Sequence, residues 1–135
     1  MVLDLQRATH VTLGALAAEL RALDLPASEA NVLANLTGGG PEVTVSQLAG
    51  RVGSRPTTMT AVLDRLERRG WLARVPHPTD RRALVVRLTP AGRPVARAVR
   101  RAYDRVEAQA LATLSPTAAR SLRGSLRRLA EQLDA

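Results

Sequence analysis

The chain has 135 residues, 45% of them hydrophobic, which suits one domain, or one domain with an oligomerisation element. It carries a net charge of +8, every basic residue is Arg, and it has no Cys, which excludes disulfides, thiol sensing and Cys-ligated zinc. Asp4, Arg7 and Glu19 interrupt the apolar pattern at the start, so neither a signal peptide nor a membrane span is expected, and a cytoplasmic location follows.

With no Phe, one Trp (Trp71) and one Tyr (Tyr103), the core must be built from Leu, Val and Ala, a composition that favours helices. Residues 3–23 read as the first helix, because Leu13, Leu16, Leu20 and Leu23 recur at spacings of three and four and share one face. Pro26 opens a second helix with Val32, Leu33 and Leu36 apolar, and Gly38-Gly39-Gly40-Pro41 ends it. Thr44 followed three residues later by Gln47 has the form of a capping box. The short helix behind it breaks at Gly53. Pro56 then takes the first position of a fourth helix that runs to about Arg69, with Gly70 as its C-terminal stop. Met59, Val62, Leu63 and Leu66 are its core face, and Thr57, Thr58, Thr60, Ala61, Asp64, Arg65 and Arg68 occupy the other.

Trp71–Val75 and Ala83–Leu88 read as short strands, the second with imperfect alternation, joined by the turn-rich segment 76–82 into a hairpin with a basic tip. Thr89-Pro90 and Ser115-Pro116 each start a further helix. The first passes through Val95, Val99 and Tyr103 towards Leu114, and the last carries a seam of Leu122, Leu126, Leu129 and Leu133. The expected fold is mainly α with a small β-hairpin wing (α+β), a winged helix-turn-helix with flanking helices. The whole of 1–135 is read as a single domain, in which about 26–92 is the nucleic-acid-binding lobe and about 1–25 and 93–135 are dimerisation helices.

Charge is uneven along the chain. Residues 1–50 hold two Arg and five acids, residues 51–105 hold fourteen Arg and four acids, and residues 106–135 hold four Arg and three acids. A basic middle between near-neutral ends points to one surface facing a polyanion. A preference for Arg codons would explain Arg over Lys but not the clustering.

Residues 63–72 (Leu-Asp-Arg-Leu-Glu-Arg-Arg-Gly-Trp-Leu), then Arg74, Pro78-Thr79-Asp80-Arg81-Arg82 and Leu88-Thr89-Pro90-Ala91-Gly92, resemble the MarR family signature in order, spacing and residue type. The resemblance is tightest over about 44–92. It implies a homodimeric transcriptional regulator, a repressor released by a small, often aromatic or phenolic ligand, bound to an inverted-repeat site on double-stranded DNA. It also implies that the position of Ala61 is often larger and basic in relatives, so that one direct base contact is missing here, and that Asp80 pairs with Arg82 and fixes its direction.

The residue chemistry agrees with that reading. A major groove admits one α-helix, whose short polar side chains and Arg read base edges. Ser54, Arg55, Thr57, Thr58, Thr60 and Ala61 lie at the start of the fourth helix, while Arg65 and Arg68 further along suit phosphates. Arg81 and Arg82 at the hairpin tip can enter the narrow minor groove, where negative potential is strongest. The Leu13, Leu16, Leu20 stripe and the Leu122, Leu126, Leu129, Leu133 seam each need an apolar partner, and a second copy of the chain is expected to supply it. Intrachain packing could satisfy one of the two.

Other chemistries find little support. Gly38-Gly39-Gly40 lacks the Lys-Ser/Thr of a phosphate loop. His10 and His77 have no partner at ligand spacing, and a loop His such as His77 is read as exposed, so no metal or cofactor is expected and no enzyme. An RNA-binding module would need aromatic stacking platforms that this composition lacks. The remaining alternative is a winged-helix adaptor whose basic surface binds an acidic protein partner.

Overall fold

The computed structural model describes residues 1–38, 40 and 42–134. Its helices are α1 (Val2–Leu20, extended by a 3-10 turn at Arg21–Leu23), α2 (Ala27–Asn35), α3 (Val45–Val52), α4 (Pro56–Arg68), α5 (Gly92–Ala110) and α6 (Pro116–Leu133). Its strands are β1 (Val43–Thr44), β2 (Leu72–Pro76) and β3 (Leu84–Leu88). No described helix is long and apolar enough to cross a membrane.

Local start and stop signals explain most boundaries. Thr44 Oγ1 accepts from Gln47 N at 3.1 Å and Gln47 Oε1 accepts from Thr44 N at 3.0 Å, so the capping box closes and fixes the start of α3. Gly53 ends α3 with φ 67° and Gly70 follows α4 with φ 75°, a left-handed conformation that costs a side-chain-free residue little. At Gly70 the backbone N–H bonds Glu67 O at 2.8 Å and Trp71 N bonds Leu66 O at 3.1 Å, turning the chain straight into β2. Ser115 Oγ accepts from Ala118 N at 3.1 Å at the start of α6. The expected end of α2 at Gly38-Gly39-Gly40-Pro41 lies partly outside the described residues, at Gly39 and Pro41. The helix itself already stops at Asn35.

Both ends of α5 and the make-up of the sheet also differ from the sequence expectation. α5 is helical from Gly92, because Thr89 and Pro90 form a turn in which Thr89 Oγ1 accepts from Gly92 N at 3.0 Å. It ends at Ala110, short of Leu114, with Leu111 N and Leu114 N bonded back into a loose turn. The sheet has a third strand: β1 pairs with β3, Val43 opposite Val86 and Thr44 opposite Val85, in the order β1-β3-β2, antiparallel throughout. β3 is therefore the central strand, and adjacent Val85 and Val86 are both buried, one on each face, which is why its alternation is imperfect. On the outer strand β2, Pro76 is the last residue, opposite Leu84, where a missing N–H costs little.

The core joins these elements. Leu20 of α1, Leu33 of α2, Leu48 of α3 and Met59, Leu63 and Leu66 of α4 are essentially inaccessible. α5 runs along α1 and α2 and presents Ala96, Val99 and Ala102, all fully buried, whose small side chains let the helix axes approach closely. Burial of this apolar surface, at about 25 cal/mol per Å², holds α4 by one face and leaves the other free. α6 has no buried residue.

Candidate nucleic-acid interface

α4 sorts its residues as the periodicity requires. Met59, Val62, Leu63 and Leu66 are buried, and Thr57, Thr58, Thr60, Ala61, Arg65 and Arg68 are exposed. Pro56 sits at the first helical position. Thr60 Oγ1 donates to Pro56 O at 3.0 Å, which orients its methyl and leaves its lone pairs outward. Ser54 and Arg55 lie in the extended turn between α3 and α4, the first half-buried and the second exposed.

Ion pairing decides which charges remain for a partner. Arg74 of β2 donates through Nη2 to Glu67 Oε2 at 2.7 Å and to Asp64 Oδ1, and its backbone N–H reaches Glu67 Oε1 at 2.9 Å. Hydrogen bonding by Arg74 holds the Glu67 carboxyl below the usual carboxylate value, and the two carboxylates, Glu67 first, hold Arg74 firmly charged. Both acids of α4 are thus ion-paired with the wing strand, through one shared arginine. Arg87 is likewise paired with Glu42. Arg51, Arg55, Arg68, Arg81 and Arg82 are exposed and make no ion pair among the described residues. The helix-turn-helix and wing therefore present arginines that are tied to no acid by an ion pair among the described residues.

Arg65 differs from the expectation. Its Nε donates to Glu29 Oε1 at 2.9 Å, and Arg69 Nη1 lies 3.7 Å from Glu29 Oε2. The Glu29 side chain is only 4% exposed. A buried carboxylate of α2 thus holds the C-terminal end of α4, and Arg65 is a tether before it is a phosphate contact. Arg69 also lies over the Trp71 ring, 4.6 Å from its centroid, a cation–π contact that fixes the turn into β2. Sequence reasoning missed Glu29: 36 residues separate it from Arg65, and no local pattern links them.

The wing tip also differs in detail. Asp80 Oδ1 accepts from the backbone N–H of Arg82 at 3.0 Å, so Asp80 shapes the chain at Arg82 through the main chain and not by gripping its guanidinium. Arg81 and Arg82 are both exposed. His77, read as merely exposed, is half-buried and bonded within the loop.

The apolar stripes divide. Leu16 and Leu20 are 6% and 1% exposed, packed into the chain's own core, so they are withdrawn as partner contacts. Leu13 is 53% exposed, and Leu122, Leu126, Leu129 and Leu133 range from 39% to 78%. α6 lies against the chain loosely enough to leave a cavity of about 420 Å³ between α1, α5 and α6, with Tyr103, Val106, Leu122 and Leu126 among its walls and Arg120 and Arg123 beside them. Burial raises the Tyr103 pKa, keeping its hydroxyl protonated.

A short helix, a turn, a second helix with one buried and one polar face, and a basic hairpin define a winged helix-turn-helix protein of the transcription-regulator class. A sequence profile of the MarR family matches residues 23–83. Over 104 residues the chain is 36% identical to an uncharacterized HTH-type transcriptional regulator of Mycobacterium bovis, an alignment covering 77% of this chain and 69% of that one. Among solved structures, CouR from Rhodococcus jostii RHA1, bound to p-coumaroyl-CoA, is similar with a TM-score of 0.84 and 26% identity over 93% of this chain and 88% of that one. Staphylococcus aureus MepR in its DNA-binding conformation matches with a TM-score of 0.86 over 98% of both chains, at 20% identity, a likeness of fold alone. The chain belongs to the MarR family and is a transcriptional regulator, not an enzyme.

Proposed function

We propose that this protein is a cytoplasmic, homodimeric repressor that binds an inverted repeat in double-stranded DNA and leaves it when a small aromatic ligand binds. α4 enters the major groove with Thr57, Thr58, Thr60 and Ala61 towards base edges, and Ser54, Arg55 and Arg68 towards the backbone. Arg81 and Arg82 enter the adjacent minor groove. The observation that carries this reading is the separation of charge: both acids of α4 are drawn into ion pairs with Arg74, while Arg55 and Arg68 at the turn and helix and Arg81 and Arg82 at the wing make no ion pair among the described residues. An acidic protein partner would be served equally well by net charge, but not by a convex helix face of small polar residues beside a basic hairpin.

Leu122, Leu126, Leu129 and Leu133, with Leu13, supply the dimer seam, since an exposed apolar row of this length is costly in water. Two copies related by a twofold axis would place their α4 helices about 34–36 Å apart, matching half-sites about 10 bp apart or a small multiple. The cavity beside Tyr103 is of the size that small aromatic acids fill, and Arg120 on its wall suits a carboxylate, whereas Arg123 is held by Glu107 at 3.0 Å.

Selection of bound duplexes from a random pool, followed by gel shift against competitor DNA, tests the reading. The expected result is an inverted repeat bound by two chains. Equal affinity for every sequence recovered, or no retention of DNA at all, would overturn it in favour of the adaptor.

A further inference from the structure

The wing tip is a closed hydrogen-bonded loop with a histidine at its root. His77 Nδ1 accepts from the backbone N–H of Asp80 at 3.0 Å and of Thr79 at 3.2 Å, with Thr79 Oγ1 at 3.4 Å. His77 N donates to Ala83 O at 3.1 Å, Ala83 N donates to Asp80 O at 3.1 Å, and Asp80 Oδ1 accepts from Arg82 N at 3.0 Å. The N–H groups of His77, Thr79, Asp80, Arg82 and Ala83 thus all find acceptors inside the loop. Both groups facing Nδ1 from the main chain are obligate donors, so Nδ1 carries the lone pair and the ring proton sits on Nε2.

We infer that His77 is the positioning residue of the wing: its Nδ1 fixes Thr79 and Asp80, and through Asp80 it sets where Arg81 and Arg82 point. The role rests on the reading of the wing as a DNA contact. A turn of this kind needs a side-chain acceptor two bonds beyond Cβ, aimed back at the N–H groups two and three residues on. His supplies it through Nδ1 and Asn supplies it through Oδ1, at the same bond count from the backbone. Ala supplies nothing. Pro78, between the ring and those amides in the chain, has no N–H of its own to satisfy and a fixed φ that narrows the turn's freedom. Without the acceptor, two N–H groups turn to water and the Arg side chains sample a wider range before binding, which lowers affinity without touching the core.

The test compares His77→Ala, His77→Asn and Arg82→Ala, singly, and His77→Ala with Arg82→Ala, on the duplex selected by the wild-type protein. His77→Ala is expected to weaken binding about three- to tenfold, the scale of one or two hydrogen bonds. His77→Asn should restore it to within about twofold on that same scale. Once Arg82 is gone, removing His77 should cost less than it does in the wild type, because the part of its effect that acts through Arg82 is already lost. Nitrogen NMR of the unbound wild type should show the Nε2–H tautomer, and the Thr79 and Asp80 amide resonances should move in His77→Ala and stay near place in His77→Asn. Wild-type affinity in His77→Ala while Arg82→Ala is weak overturns this inference alone. So does failure of Asn to rescue, or a proton on Nδ1. Wild-type affinity in Arg82→Ala overturns the wing reading, and this inference with it.

Discussion

Gly92 offers the sharpest test of how the wing is joined to the rest of the molecule. It is buried at the start of α5, and a Cβ built there would lie 2.6 Å from the carbonyl carbon and 2.9 Å from Cα of Trp71, and closer still to the Trp71 carbonyl oxygen. Neither side can retreat. Trp71 O accepts from Thr89 N at 3.0 Å, Thr89 Oγ1 donates to Gly70 O at 2.6 Å, and Gly92 N bonds back to Thr89 O at 3.0 Å. Helix propensity alone predicts that Gly→Ala stabilises by about 0.5–1 kcal/mol. Overpacking against fixed backbone costs about 1–3 kcal/mol or more, and a contact this close belongs at the upper end. The net loss is then about 2 kcal/mol, which for a chain of this size lowers the thermal midpoint by roughly 6–10 °C. Gly124 of α6 is the control: its added Cβ meets only the flexible end of Arg128, at 3.8 Å, so propensity decides and Gly124→Ala should raise the midpoint by about 2–4 °C. Circular dichroism melts at one fixed protein concentration measure both, since a dimer's midpoint moves with concentration. A Gly92→Ala midpoint at or above wild type would refute the steric argument.

Arg82→Ala should lose about 1–3 kcal/mol of binding to the selected duplex while its melt is unchanged, and an unchanged gel shift would remove Arg82 from the contact set. Log affinity of the wild type should fall with log salt at about −0.9 per phosphate neutralised, and a flat response in a salt titration would contradict the free-arginine reading. Leu126→Glu with Leu129→Glu should yield monomer in sedimentation, or an unfolded chain, and an intact dimer would relocate the interface. Glu67 is held below its usual value of 4.5 by Arg74, so the stability it adds is present above about pH 4.5 and is lost as the pH falls through the lowered folded value. Urea melts across acid pH should therefore show wild type and Glu67→Gln converging as the pH drops, and a constant gap would sink the coupling to Arg74.

What could be read from the sequence was local. The spacing of Met59, Val62, Leu63 and Leu66, the capping box at Thr44 and Gln47, and the stops at Gly53 and Gly70 each depend on residues within one or two turns, and each stands in the structure. Non-local features left no such trace. Two residues, Val43 and Thr44, have no period of their own, and only their pairing with Val86 and Val85 makes them a strand. A stripe of leucines shows that a face must be covered but not by what. Leu16 and Leu20 are covered by the chain itself, whereas Leu122, Leu126 and Leu129 stay exposed. Glu29 and Arg65 meet only because α2 and α4 pack together. The geometry at His77 was local yet overlooked, because a histidine is seldom considered as the acceptor at the root of a turn, a place usually given to Asn, Asp or Ser.

The arginines of the middle segment are best understood as two populations with different work. One holds the lobe together: Arg65 and Arg69 join α4 to α2 through Glu29, and Arg74 joins β2 to α4 through Asp64 and Glu67. The pairs on Glu29 hold a buried carboxylate that would be costly to leave unpaired, whereas the half-buried pairs of Arg74 also shape the field around α4. Without Arg74, two carboxylates would stand on the same helix as Thr57, Thr58 and Thr60 and repel a phosphate backbone. With it, that helix is close to neutral along its length and the positive charge is left at Arg55, Arg68 and the wing tip. The net charge of +8 records none of this, because a tethered and a free arginine count alike. What distinguishes them is where the acids lie in the fold: Glu29, Asp64 and Glu67 each sit where an arginine can reach them.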